Sequence, residues 1–246
     1  MKNASTVIGL IVLPLLGGWP DADASGATYT TNFPLTENPV SEGGMWIGGK
    51  TVGLAWADFQ STPGFAFGKQ PGNSSGLYDD SIALLTGTWG PDQTVQATVK
   101  TVNQNDSVVQ ELEIRLRSTV IANRSTGYEC LFTARSTAKA YVQIVRWNGP
   151  FGSWTQLDGR EGTTYALRNG DTIKCTIKGS TITAYINGVQ KLQVTDGTFS
   201  SGNPGIGAFL HNATGLNADY GFTHFSATDG INTGRPLPPT DVRVSP

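Results

Sequence analysis

The sequence predicts an all-β protein, a sandwich or a barrel. Short runs of alternating apolar and polar residues recur along the chain, bounded by Gly, Asn, Asp and Ser at the spacing of strands and tight turns. No amphipathic helix of useful length breaks the series. The composition agrees, because 31 glycines and only 15% charged residues suit strands joined by tight turns.

In chain order, strands are expected at 29–33, 45–47, 64–68, 81–86, 94–102, 108–118, 127–135, 140–148, 155–158, 171–178, 181–186, 189–195, 205–212 and 218–228. Lys178-Gly179-Ser180 turns one strand into the next, and Asn187-Gly188 between apolar alternations is the strongest short hairpin signal. Together they make a meander from Asp171 to Thr195.

The ends differ from the middle. Lys2 precedes the apolar run VIGLIVLPLLG, and Ala22-Asp23-Ala24 follows as an A-x-A site. That is a secretory signal pattern, with 1–24 as the leader. The run is about eleven residues long, short of the roughly twenty that span a bilayer, so no membrane insertion is expected. The pattern places the protein outside the cell or in the periplasm. Residues 25–229 form the expected domain. Residues 230–246, with the run RPLPP, read as a proline-rich tail or linker stub.

A net charge of −2 and the lack of a basic stripe exclude nucleic acid as a partner. Two cysteines and two histidines at wide spacing match no zinc signature, and no cofactor is expected. No G-x-S-x-G elbow or phosphate loop occurs. Cys130 and Cys175 pair as a disulfide if the chain is exported, or remain buried free thiols; the sequence leaves both open.

The stretch ELEIRLR, 111–117, is the most informative. Successive side chains of a strand point to opposite faces. Leu112, Ile114 and Leu116 therefore point inward, with Val95, Ala97, Val99, Tyr128, Cys130, Phe132, Val142 and Ile144. Glu111, Glu113, Arg115 and Arg117 point the other way. Gln96, Thr98 and Lys100 are expected there too, with Glu129, Leu131, Thr133, Arg135, Tyr141, Gln143, Val145 and Trp147. Phe209 and His211 join by the same parity. A four-residue turn at 136–139 would set Thr133 against Gln143 and Glu129 against Trp147. Carboxylates, guanidiniums, amides and aromatic rings together are what sugar recognition uses. The plainer alternative is a ladder of solvated ion pairs, each worth about 0.2–1 kcal/mol. Trp46, Trp56, Trp89 and Trp154 lie near strand ends, where each can fill the core or rim a groove.

The stretch GDTIKCTIKGSTITAYINGVQKLQVTDGTFSSGNPGIGAFLHN resembles a recurring piece of concanavalin A-like domains, especially the laminin-G-like, three-hairpin type of secreted bacterial proteins. ADYGFTHFSATD is similar to that family's last strand, and GYECLFTARSTAKAYVQIVRWNG to its central hairpin. The resemblance implies a jelly-roll sandwich of two antiparallel sheets whose concave face holds carbohydrate. It also implies, in parts of the family, a structural calcium ion; Asp79, Asp80, Asp219 and Asp229 are the oxygen donors on offer.

Two enzyme groups of this fold can be compared. Laminarinase-like glucanases carry Glu-x-Asp-x-Glu on the catalytic strand, and retaining hydrolysis needs two carboxyls about 5–5.5 Å apart. Here Glu111-Leu-Glu113-Ile-Arg115 puts arginine at the third acid position. Alginate-lyase-like domains carry Arg-x-Glu-x-Arg and Gln-Ile-His. Here Tyr141-Val-Gln143-Ile-Val145 puts valine where histidine stands. Both comparisons fail at the proton-transfer residue. A catalytic version would have to use Glu113, Glu129, Arg115, Tyr141 and His211 in another arrangement. The expectation is a glycan-binding, non-catalytic domain that meets a polysaccharide or glycoconjugate through Glu111, Glu113, Arg115, Arg117, Glu129, Arg135, Tyr141, Gln143, Trp147 and His211. A polysaccharide lyase or glycoside hydrolase, and an adhesion module without a sugar site, are the alternatives.

Overall fold

The computed structural model describes residues 26–73 and 79–230. The leader, 1–24, and all but the first residue of the tail at 230–246 lie outside the described residues. The strands are β1 (Thr28–Thr31), β2 (Trp46–Gly48), β3 (Phe59–Thr62), β4 (Phe65–Gly68), β5 (Asp80–Leu85), β6 (Gln93–Thr101), β7 (Val109–Ile121) and β8 (Arg124–Thr133). They continue with β9 (Tyr141–Pro150), β10 (Trp154–Glu161), β11 (Thr172–Lys178), β12 (Thr181–Ile186), β13 (Val189–Thr195), β14 (Asn203–His211) and β15 (Tyr220–Thr228). Three single-turn 3-10 helices complete the described residues, none long and apolar enough to cross a membrane.

Two antiparallel sheets pack as a jelly-roll sandwich. One runs β13-β12-β11-β6-β15-β4-β3, with β1 added on β15; the other runs β10-β9-β8-β7-β14-β5-β2. The meander from β11 to β13 forms as its turns predict, with Asn187 and Gly188 both at positive φ. The inward set is as parity predicts: Val95, Ala97, Val99, Leu112, Ile114, Leu116, Tyr128, Phe132, Val142 and Ile144 are all buried in one core. Within it, Cys130 of β8 and Cys175 of β11 form a disulfide that ties one sheet to the other.

Four details differ from expectation. Phe59–Thr62 is an additional strand, turned into β4 by Pro63-Gly64 with Gly64 at φ 83°. Pro-Gly at the centre of a turn was a signal for that hairpin. β6 pairs with β11 and β15, so Gln96, Thr98 and Lys100 lie on the outer face of the opposite sheet, away from Glu111 and Glu113. The β8–β9 register sets Leu131 against Gln143 and Gly127 against Trp147, two residues from the expected pairing. The loop is longer than four residues, so parity survives and alignment does not.

The fourth difference matters most for the site. Residues 49–58 form a strap across the outer face of the seven-stranded sheet. Asp58 Oδ1 accepts the Lys50 N–H at 2.9 Å, and Ala57 exchanges backbone hydrogen bonds with Asp80 and Ile82. Leu54 and Trp56 under this strap bury against Ile82, Leu84 and Val120, making a second small core. Half of that sheet face is therefore roofed, and the other half is open.

Candidate functional site

The open half forms a cavity of about 360 Å³ lined by Asp80, Glu111, Glu113, Glu129, Leu131, Tyr141, Gln143, Val145, Trp147, Trp154 and Phe209. Five adjacent strands and the edge strand β10 supply these groups. Trp154 is paired with Trp147 across β10 and β9 and is the exposed member, at 49%. Phe209 of β14 sits between Asp80 of β5 and Glu111 of β7.

Beneath the acids lies a buried ion cluster. Arg115 pairs with Glu113 at 2.5 Å and with Glu129 at 2.7 Å, all three side chains being at most 3% exposed. The guanidinium carbon lies 5.2 Å from the Trp56 ring and 5.4 Å from that of Trp147, within cation–π range of both. Trp147 Nε1 donates to Glu129 Oε2 at 2.6 Å. Gly207 makes room for this arrangement, because a Cβ there would sit 2.0 Å from Glu113 Oε2. Tyr141 donates its hydroxyl proton to Glu111 Oε1.

Burial governs the proton affinities. Desolvation pushes Asp80 and Glu113 well above the usual carboxyl range, and Arg115 only partly offsets it. Glu111 is pushed up to about 7 by burial, against the opposing bond from Tyr141. Burial and then Glu111 raise Tyr141, so its phenol stays protonated. Burial works against the charge on Arg115, but Glu129, Glu113 and Asp80 outweigh it.

Six nominated residues meet in the cavity: Glu111, Glu113, Glu129, Tyr141, Gln143 and Trp147. Four others do not line it. Arg115 has the expected parity but is roofed by Trp56 and Trp147. Arg117 has φ 44° at a register shift between Leu116 and Thr119, which turns its side chain off the face. Its N–H groups go instead to the carbonyls of Pro91, Phe199 and Gly179. Arg135 donates to the carbonyls of Val108 and Lys139. His211 lies beyond Phe209, with Nδ1 3.0 Å from Asp79 Oδ2, in a separate depression beside Gly72 and Asn212. Of Glu113, Glu129, Arg115, Tyr141 and His211, on which a catalytic arrangement would draw, the first four gather at the cavity and its buried floor, and His211 lies apart.

Among the other tryptophans, Trp46, Trp56 and Trp89 are buried. Asp80 belongs to the cavity, which its place at the start of a strand did not reveal. Asp219 accepts from Asn103 and Asp229 from the Gly90 N–H, at separate places from Asp79 and Asp80. Among the described residues, no group of three or more His, Cys, Asp or Glu is placed to hold a metal ion. The charged row is thus not a solvated ladder, since its central arginine is fully buried.

No protein-family model and no curated protein matches the sequence. Solved structures do match in fold. A carbohydrate-binding module, CBM66, from Bacillus subtilis aligns at TM-score 0.50 and 16% identity, over 68% of this chain and 92% of that one. The potassium-bound carbohydrate recognition domain of Emp46p aligns at 0.53 and 12%, over 82% and 96%. The CBM2 module of the evolved Dit of Lactobacillus casei BL23 phage J-1 aligns at 0.53 and 12%, over 84% and 99%. At these identities the likeness establishes the jelly-roll sandwich fold.

Proposed function

We propose that this chain is a secreted, non-catalytic glycan-binding domain of the laminin-G-like type, and that the cavity on its seven-stranded sheet is the binding site. The observation that carries the reading is the lining: Tyr141, Trp147, Trp154 and Phe209 around polar Glu111, Gln143 and Asp80. Aromatic faces pack against the C–H faces of pyranose rings, while amide and carboxyl groups take the hydroxyls. Three of the similar structures are named as carbohydrate-binding modules or a carbohydrate recognition domain, which supports the same reading. The leader pattern supports export, and the Cys130–Cys175 bond suits an oxidising compartment.

A hydrolytic reading has one observation in its favour. Glu113 and Glu129 both line the cavity, and Glu113 has a raised proton affinity. Against it, both carboxylates are anchored on Arg115 and nearly inaccessible. The test is a glycan array with the purified chain, followed by incubation with the bound polysaccharides. Binding without new reducing ends or unsaturated uronates supports the proposal. Chain cleavage would replace it with the enzyme reading, and no binding across the array would leave an adhesion or structural module.

A further inference from the structure

We infer that the cavity sorts sugars by charge, admitting neutral units and units bearing a protonated amine while rejecting uronate, sulfated and phosphorylated units. This rests on the glycan-binding reading and names the class of glycan taken. It starts from an imbalance: four carboxyl side chains, Asp80, Glu111, Glu113 and Glu129, line the cavity, and among the described residues no basic side chain does.

Each nearby arginine is committed elsewhere. Arg115 is spent on Glu113 and Glu129 and is covered by two indoles, with 0% of its side chain exposed. Arg117 is spent on three backbone carbonyls, and Arg135 on two. A sugar carboxylate or sulfate entering the cavity would meet acids, with no free guanidinium of the described residues in reach. At about 6 Å and an effective dielectric near 20, one ionised carboxylate disfavours it by on the order of a hundredfold before screening. A neutral sugar gives its hydroxyl protons to the more accessible oxygens of Glu111. An ammonium does so with charge assistance. The aromatic walls pack on all these rings alike, so charge decides among them.

Burial holds protons on Asp80, Glu113 and Glu111 more firmly than usual, so the repulsion grows as pH rises through about 7, where Glu111 ionises, and the binding comparison is made at pH 8.

The experiment compares wild type, Glu111→Gln and Asp80→Asn on one array of neutral, amino, uronate and sulfated oligosaccharides. Calorimetry then follows on a neutral hit and its C6-oxidised uronate. The glutamine at 111 still accepts the Tyr141 hydroxyl, so the fold is retained, which circular dichroism checks. Wild type is expected to bind the neutral glycan at least about tenfold more tightly than its uronate, and either variant to narrow that gap on the order of tenfold. Equal or tighter binding of the uronate by wild type overturns the inference and leaves the glycan reading standing. A gap unchanged in both folded variants does the same. Binding to no glycan defeats the glycan reading, and the inference with it.

Discussion

Arg115 holds the buried ion cluster together, and its removal should cost stability. Replacing it with methionine keeps side-chain bulk and removes the charge. Glu113, at 2.5 Å, and Glu129, at 2.7 Å, then lose their shared partner in a fully buried setting. Breaking a buried ion pair from one side costs about 3–5 kcal/mol. Because two carboxylates are orphaned and the stacking against Trp56 and Trp147 is lost, the upper part of that range is expected at pH 8. For a domain of about 200 residues, that lowers the melting midpoint by roughly 8–20 °C. The loss depends on pH. A carboxyl whose folded pKa is raised destabilises the fold as pH climbs from its unfolded value, near 4.5 for Glu113, through the folded value. The Arg115→Met defect should therefore shrink at pH 5, where Glu113 holds its proton. Thermal unfolding at pH 5 and pH 8, with the disulfide intact, measures it. A loss below about 1 kcal/mol at pH 8, or an equal loss at both pH values, would refute the reasoning.

Three further outcomes are expected. Glu111 should titrate at about 7, seen by carbon-detected NMR of its carboxyl, and its contribution to stability should fall as pH rises from the unfolded value near 4.5 through 7. Tyr141→Phe removes a bond that favours the ionised acid, so the Glu111 titration should move higher; an unchanged midpoint would show that the bond is idle. Cys130→Ala with Cys175→Ala opens a link spanning 45 residues, which chain entropy values at about 4 kcal/mol, and urea unfolding should show a loss of about 2–4.

Much of this was legible from period alone. Leu112, Ile114 and Leu116 must lie on one face of a strand, and their burial follows from that pattern. The same parity put Glu111, Glu113, Glu129, Tyr141, Gln143 and Trp147 on one open face, where the cavity is. Arg117 escaped because one residue at positive φ reverses parity locally, and nothing in LRSTV announces the irregularity. Arg115 had the right direction but the wrong surroundings. Its roof comes from Trp56, on a strap without strand or helix period, whose course depends on contacts with Ile82 and Leu84 far along the chain. The choice of sheet for β6 is likewise a matter of topology, so Gln96, Thr98 and Lys100 were placed by parity on the wrong side of the sandwich. Asp80 was hidden for the same reason, since only the pairing of β5 with β14 brings it beside Phe209 and Glu111.

Trp147 is a poor probe of the cavity, because it also bonds Glu129 and packs against Trp56. Trp154 is a better one: it is 49% exposed on an edge strand and lines the same cavity. Trp154→Ala should leave stability within about 0.5 kcal/mol, as for a surface substitution. The most direct measurement is calorimetry of wild type and Trp154→Ala against a glycan that the wild type binds. Affinity is expected to fall about tenfold or more with an unchanged melting midpoint. Undiminished binding by the variant would contradict the placement of the glycan in this cavity.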